Sequence, residues 1–246
     1  MFDRLKKFFS SEAPEATAST LSRFDSQLVS EWAQQQGLTY SDAVAATVMG
    51  KPERRGDVFL LDGAVQGKSW RLECGAPSRD FIQGQELRGR SYLGVLDTVS
   101  VVVMNRPLKM ALEKRAYSMY TDSLQTAIDS KLPEEMRWLA IYPEVGWANM
   151  PNMFFDRYSV LAAKREHAGA WINRALADVM MQWPPSGPSA EVPFVMMLLR
   201  GRCYLRMEYP QADLPTLQHV ASIYRAACAS ALTNVAQDVD SDNTQS

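Results

Sequence analysis

Residues 194–208 constrain the fold more than any other stretch. Phe194 to Leu199 reads FVMMLL, apolar at every position, and so predicts a strand buried on both faces in the middle of a sheet. Arg200-Gly201-Arg202 marks a turn. Beyond it Cys203, Leu205 and Met207 alternate with Tyr204, Arg206 and Glu208, which places the first set inward and the second outward.

Other segments repeat this theme with helices between them. Residues 57–61, DVFLL, hold a short apolar run, Asp62-Gly63 follows as a turn signal, and Trp70, Leu72 and Cys74 then alternate with Arg71 and Glu73, a hairpin signature. A further strand is expected over 98–104. Leu21, Phe24, Leu28 and Trp32 recur at helical spacing between Thr20, an N-cap, and Gly37, a stop. Pro107 opens a second helix, with Leu108, Leu112, Ala116, Met119, Leu124 and Ile128 as its buried stripe. A short helix is expected from Pro133 to Leu139, and residues 154–163 look extended. An unbroken i, i+3, i+4 series from Ala168 to Trp183 predicts one helix over 166–183, ended by Pro184-Pro185. The last helix carries Leu217, Val220, Tyr224, Cys228, Leu232 and Val235, with Asp213 as N-cap and Pro215 in its first turn.

The fold class that follows is α+β: a hairpin-rich mixed or antiparallel sheet, or two related sheets, covered by three to four long amphipathic helices. WRLE at 70–73 and YLRME at 204–208 suggest a loose internal duplication with halves 38–130 and 131–236. Residues 20–236 form the globular domain. Residues 1–19 are an amphipathic segment and a polar linker, and 237–246 an acidic tail expected to be disordered.

Bulk properties narrow the function. The 246 residues are 46% hydrophobic and 22% charged, which is globular composition, and the net charge of −2 lacks the basic excess of a nucleic-acid binder. Cys74, Cys203 and Cys228 have neither disulfide nor zinc spacing and read as buried thiols in a reducing, cytoplasmic setting. No apolar run is long enough to span a bilayer.

Candidate chemistry is thin, and no cofactor or metal is called. DGAVQGKS at 62–69 imitates a phosphate loop, but Asp62 stands where the first glycine belongs and a strand follows where a helix is needed. Cys74, His167 and Asp156 assemble a nucleophilic triad only on paper. His167 and His219 lie on different helices without further ligands at metal spacing. Glu134-Glu135 with Glu144 do not make a glycosidase pair, since Pro133-Glu134-Glu135 reads better as a first helical turn. Arg200, Arg202, Arg206 and Tyr204 read as a polar edge that blocks strand association, and nucleic acid is not expected.

Two features carry more. The segment YPEVGWANMPNMFFDRY at 142–158 is too aromatic for an ordinary loop. It either closes the core or lines a ligand or partner groove formed by Tyr142, Trp147, Phe154 and Phe155, with Asn152 and Arg157 as orienting polar groups. At the N-terminus Phe2, Leu5, Phe8 and Phe9 share one helical face and Lys6 and Lys7 stand away from it, the pattern of a segment docking on an anionic membrane surface or a partner.

The stretches FFDRYSVLAAKREHAGAWINRALADVM (154–180) and PFVMMLLRGRCYLRMEY (193–209) resemble a bacterial domain family with no established activity. There an F-x-x-x-[YF]-x-V strand precedes a helix and a hairpin with a G-R-x-Y-L turn. GDVFLLDGAVQGKSWRLE (56–73) is similar to that family's first hairpin, so the resemblance covers about two-thirds of the chain. It implies a fold and brings no site. The function expected is a cytoplasmic binding or adaptor module for an unknown protein partner or small ligand, tethered at the inner membrane face by residues 1–9. The rival is an enzyme whose site assembles near Cys74 and the 142–158 loop.

Overall fold

The computed structural model describes residues 23–42, 58–122, 134–210 and 213–235. The N-terminal docking residues Phe2, Leu5, Lys6, Lys7, Phe8 and Phe9, the linker, the Thr20 cap, Leu124, Ile128 and the acidic tail lie outside them. The elements run α1 (Arg23–Gln35), β1 (Thr39–Asp42), β2 (Phe59–Val65), β3 (Lys68–Gly75), β4 (Glu86–Tyr92), β5 (Ser100–Asn105), α2 (Arg106–Asp122), α3 (Glu134–Ile141), α4 (Asn152–Arg157), β6 (Tyr158–Ala162), α5 (Arg165–Trp171), α6 (Arg174–Met181), β7 (Phe194–Leu199), β8 (Arg202–Glu208) and α7 (Leu214–Ser230), which ends in a π turn at Ala231–Val235. The protein is α+β.

The strands form one eight-stranded antiparallel sheet in the order β1-β2-β3-β4-β8-β7-β5-β6. Strands from 38–130 and 131–236 interleave in it, since β5 pairs with β7 on one side and β6 on the other. β7 is central, as its two apolar faces require. So is β8, between β4 and β7, which corrects the expectation that its arginines guard an edge.

The inner face is the main core. Leu61, Leu72, Leu87, Leu205, Met196 and Val103 meet Trp171, Leu176, Val220 and Tyr224 from α5, α6 and α7. Gly89 on β4 makes room for one of these: a Cβ there would lie 2.8 Å from the Tyr224 ring, whose hydroxyl donates to the Cys203 carbonyl at 2.8 Å. On the outer face a smaller cluster of Val102, Met104, Leu161, Val195 and Met197 is capped by Leu108 and Leu112 of α2 and Trp138 of α3. Its strand residues all belong to β5, β6 and β7.

Several local expectations change for physical reasons. Asp62 and Gly63 lie within β2, not in its turn. Asp62 takes Arg71 across the strands in a two-pronged ion pair at 2.7 and 3.0 Å, and Gly63 lies under the Trp70 ring, where a Cβ would come within 2.5 Å. The turn is Gln66-Gly67, with φ of 48° and 76°, the mirror-image geometry that suits the strand twist. Residues 154–157 are helical because Phe154 and Tyr158, four apart, must both reach the core; their rings stand 5.3 Å apart. In α1 the buried pair is Val29 and Ala33, while Leu28 is 37% exposed.

The helix expected over 166–183 is broken. Ile172 leaves helical geometry at φ −87°, ψ 67°, and Asn173 caps α6 by accepting the Leu176 N–H at 2.9 Å. The break leaves the Trp171 carbonyl outside a continuous helix, and the Ser230 hydroxyl of α7 donates to it at 2.6 Å. The Asp213 cap forms as predicted, accepting from Thr216 N–H at 2.8 Å.

Candidate functional site

The outer sheet face is capped over β5, β6 and β7, while on β2, β3, β4 and β8 it carries charged and polar side chains. Strand register lays them out in rows. Asp62, Arg71, Arg90, Tyr204 and Met197 stand side by side, about 4.8 Å from strand to strand. The next row carries Glu73, Arg88 and Arg206.

Some of these arginines are neutralised. Arg71 is held by Asp62, Arg88 by Glu73 at 2.6 Å, and Arg206 by Glu86 at 2.7 Å. Arg79, in the connection after β3, is held by Glu135 and Glu134 of α3. Others have no such match. Among the described residues no carboxylate lies within ion-pair distance of Arg90, Arg137, Arg200 or Arg202. Arg202 lies over the exposed Tyr92 ring at 5.8 Å.

Where α3 stops short of β8 there is a recess of about 290 Å³. Arg137 and Tyr142 line one wall; Leu199, Arg200, Tyr204 and Arg206 line the other. The Arg137 Nε is buried and has no hydrogen-bond partner. A shallower surface of about 400 Å³ adjoins it over Arg71, Arg90, Tyr92 and Arg202, with Tyr204 common to both.

The Arg200-Gly201 turn is tied to the residues that follow β4. Gly201 accepts from the Leu93 and Gly94 N–H groups at 2.9 and 3.0 Å. Arg200 has φ 51°, a left-handed conformation that costs a non-glycine residue roughly 1 kcal/mol. Gln66 occupies the same conformation in the other hairpin, where its side chain donates to the Thr233 hydroxyl at 3.0 Å.

The sequence-predicted groove residues separate. Tyr142 lines the recess. Phe154 is buried in the inner core; Trp147 and Phe155 pack against that core and stand edge to face with each other at 5.3 Å. Asn152 is exposed. Arg157 lies 5.7 Å over both the Tyr158 and Trp183 rings on the inner side. The enzyme alternative is not assembled either: Cys74 on β3 and the loop that leads into β6 are five strand spacings apart, about 24 Å along the sheet. Cys74 is 1% exposed and Asp156 is on the surface. Burial pushes the Cys203 thiol up, away from the reactive thiolate. Sequence reasoning missed Arg79, Arg90 and Arg137, which only the register and the α3 packing bring to one face.

Arg157 also acts on His219. The His219 ring lies 4.8 Å from Trp183, and burial first, then the nearby Arg157 charge, hold its imidazole below 6.5. The unfolded chain therefore binds more protons than the native one just below pH 6.5. His219 accordingly contributes stability that is present above that pH and lost as pH falls through the native pKa. A proton NMR titration is expected to place its midpoint below 6.5 and to move it up in Arg157→Gln. An unmoved midpoint in that variant would remove Arg157 as a cause.

No protein-family model matches the sequence, and no curated protein does; both are consistent with its resemblance to a family without established activity. The solved structure of the mycobacterial trehalose monomycolate transport factor A, TtfA, is similar with a TM-score of 0.44 and 11% identity, over 85% of this chain and 95% of that one. At that level the likeness carries no inference about function, and the reading rests on the chain's own residues.

Proposed function

We propose that this chain is a binding or adaptor module, working without covalent chemistry, that presents its outer sheet face to an anionic partner. One observation carries the reading: Arg90, Arg137, Arg200 and Arg202 project on one side of the sheet with no carboxylate of the described chain at ion-pair distance. Guanidiniums so placed match carboxylate or phosphate oxygens. The N-terminal Phe2, Leu5, Phe8 and Phe9, with Lys6 and Lys7, supply a second contact suited to an anionic membrane surface, and together with the free thiols of Cys74, Cys203 and Cys228 this supports a cytoplasmic place at the inner membrane face. Neither contact alone gives stable anchoring, since one short amphipathic segment binds only marginally.

Co-sedimentation with phosphatidylglycerol vesicles, against phosphatidylcholine as control, tests both contacts. The full chain is expected to partition onto the anionic vesicles and to leave them as salt rises, because the attraction is screened within about 8 Å at physiological ionic strength. Arg90→Glu/Arg202→Glu and a deletion of residues 1–18 are each expected to lower the bound fraction. Partitioning unchanged by the double substitution would remove the outer face from membrane docking; partitioning unchanged by the deletion would remove the terminal segment.

A further inference from the structure

We propose that the recess between α3 and the β7–β8 turn is a binding site for a small organic anion, a phosphate or carboxylate joined to a compact apolar body. The inference rests on the reading of the outer face as anion-binding and names what its deepest part takes. Three observations converge there. The Arg137 Nε is a buried donor with no acceptor on the described chain, and a buried N–H of that kind calls for a partner. Arg200 stands at the lip in a strained conformation that glycine would adopt freely. At the other hairpin, Gln66 in the same conformation has its side chain bonded to Thr233, whereas the Arg200 guanidinium is bonded to nothing described and faces the recess. Apolar side chains stand beside the guanidiniums on both walls. Ile141 is 57% exposed, and Tyr142, Leu199 and Tyr204 are half-buried around it.

Size and charge set the ligand class. A volume of about 290 Å³ is at the small end of ligand sites, which run to about 1,000 Å³, so the body is a single ring or a short branched chain. Arg79 and Arg206 are already matched by Glu135 and Glu86, so the free valence belongs to Arg137 and Arg200. Two guanidiniums suit one phosphate or one carboxylate. The same chemistry occurs in a free metabolite and in a lipid headgroup.

The probe is phenyl phosphate, with benzoate for the other headgroup and inorganic phosphate and phenol as the two halves. Titration of the full chain, followed by the Trp138 indole N–H signal and by calorimetry, is expected to give saturable binding of phenyl phosphate at least about tenfold tighter than either half. Arg137→Met and Arg200→Gly are each expected to weaken it roughly tenfold or more, the loss of a charge-assisted contact. Arg200→Gly keeps the turn, since glycine prefers that φ, so a retained melting temperature with lost binding separates the site from the fold. If these variants still bind phosphatidylglycerol vesicles, the ligand is a free anion; if they lose both, it is a headgroup. No saturable binding of phenyl phosphate or benzoate, affinity unchanged in both variants, or inorganic phosphate binding as tightly as phenyl phosphate would each overturn the proposal. Salt-dependent vesicle binding through Arg90 and Arg202 stands or falls separately.

Discussion

Trp171→Ala is expected to destabilise the native state by about 4 kcal/mol, among the largest effects of any single truncation here. The indole is fully buried where α5 ends, packed among residues of the inner core. Its N–H donates to the Ala227 carbonyl at 2.9 Å, and its own backbone carbonyl accepts from the Ser230 hydroxyl at 2.6 Å. Trp171 therefore joins the broken helix pair to α7 by packing and by hydrogen bonds in both directions. The alanine variant opens a cavity and removes one of the two donors to the Ala227 carbonyl, which keeps the Ala231 N–H. Urea unfolding should show a lower midpoint with an unchanged slope, and for a chain of this size the melting temperature should fall by roughly 10 °C. Trp171→Phe keeps most of the volume and should lose about half as much. A loss under about 1 kcal/mol for the alanine variant would mean that α5 and α7 are not coupled through this side chain.

Glu86→Ala should cost about 3 kcal/mol, the lower end of the range for removing one partner of a buried ion pair. Glu86 is 0% exposed although it belongs to the outer-face register. Its carboxylate accepts from the Ser78 N–H at 2.6 Å and from Arg206 at 2.7 Å, and Arg88 lies 3.6 Å away. Removing it strands a backbone donor and leaves Arg206 without its carboxylate. The lower end applies because Arg206 and Arg88 keep solvent contact, at 20% and 26% exposure, and solvent screens what they lose. Glu86→Gln retains the shape and a carbonyl acceptor for Ser78, and should cost less. Denaturant midpoints of the two variants check the order. Equal losses would mean that the carboxylate charge facing Arg206 carries the whole effect and that the acceptor kept for Ser78 contributes nothing.

The β7–β8 hairpin was legible because a doubly apolar strand, an Arg-Gly turn and a clean alternation all specify one register. The α7 start was legible because Asp213 and Pro215 sit where a cap and a first turn need them. β4 was not. Its inward positions are Leu87, Gly89 and Ser91, and a strand whose core face is mostly small or polar carries little hydrophobic signal. Gly89 is small because Tyr224, more than a hundred residues later, fills the space above it. The helix break at Ile172 was hidden for the same kind of reason. The apolar period runs on through it, and only Asn173 hinted at a new cap, while the acceptor it frees is satisfied from a distant helix.

The recess was the least legible part. Arg79, Arg137, Arg200 and Arg206 are scattered over more than a hundred residues, and no spacing rule links a loop, a helix and a turn. The aromatic loop drew attention instead. Its bulk proved to pack mainly on the core at Phe154, and its one contribution to the recess is Tyr142.

The amino-acid sequence on its own determined the class of this protein, its central hairpin and the N-cap of its last helix, because those depend on neighbours a few residues apart. Tertiary structure decided the strand order, the break before Asn173 and the gathering of guanidiniums on one open face. Those depend on which distant side chains fill a space or leave a charge unmatched, and local periodicity holds no record of either.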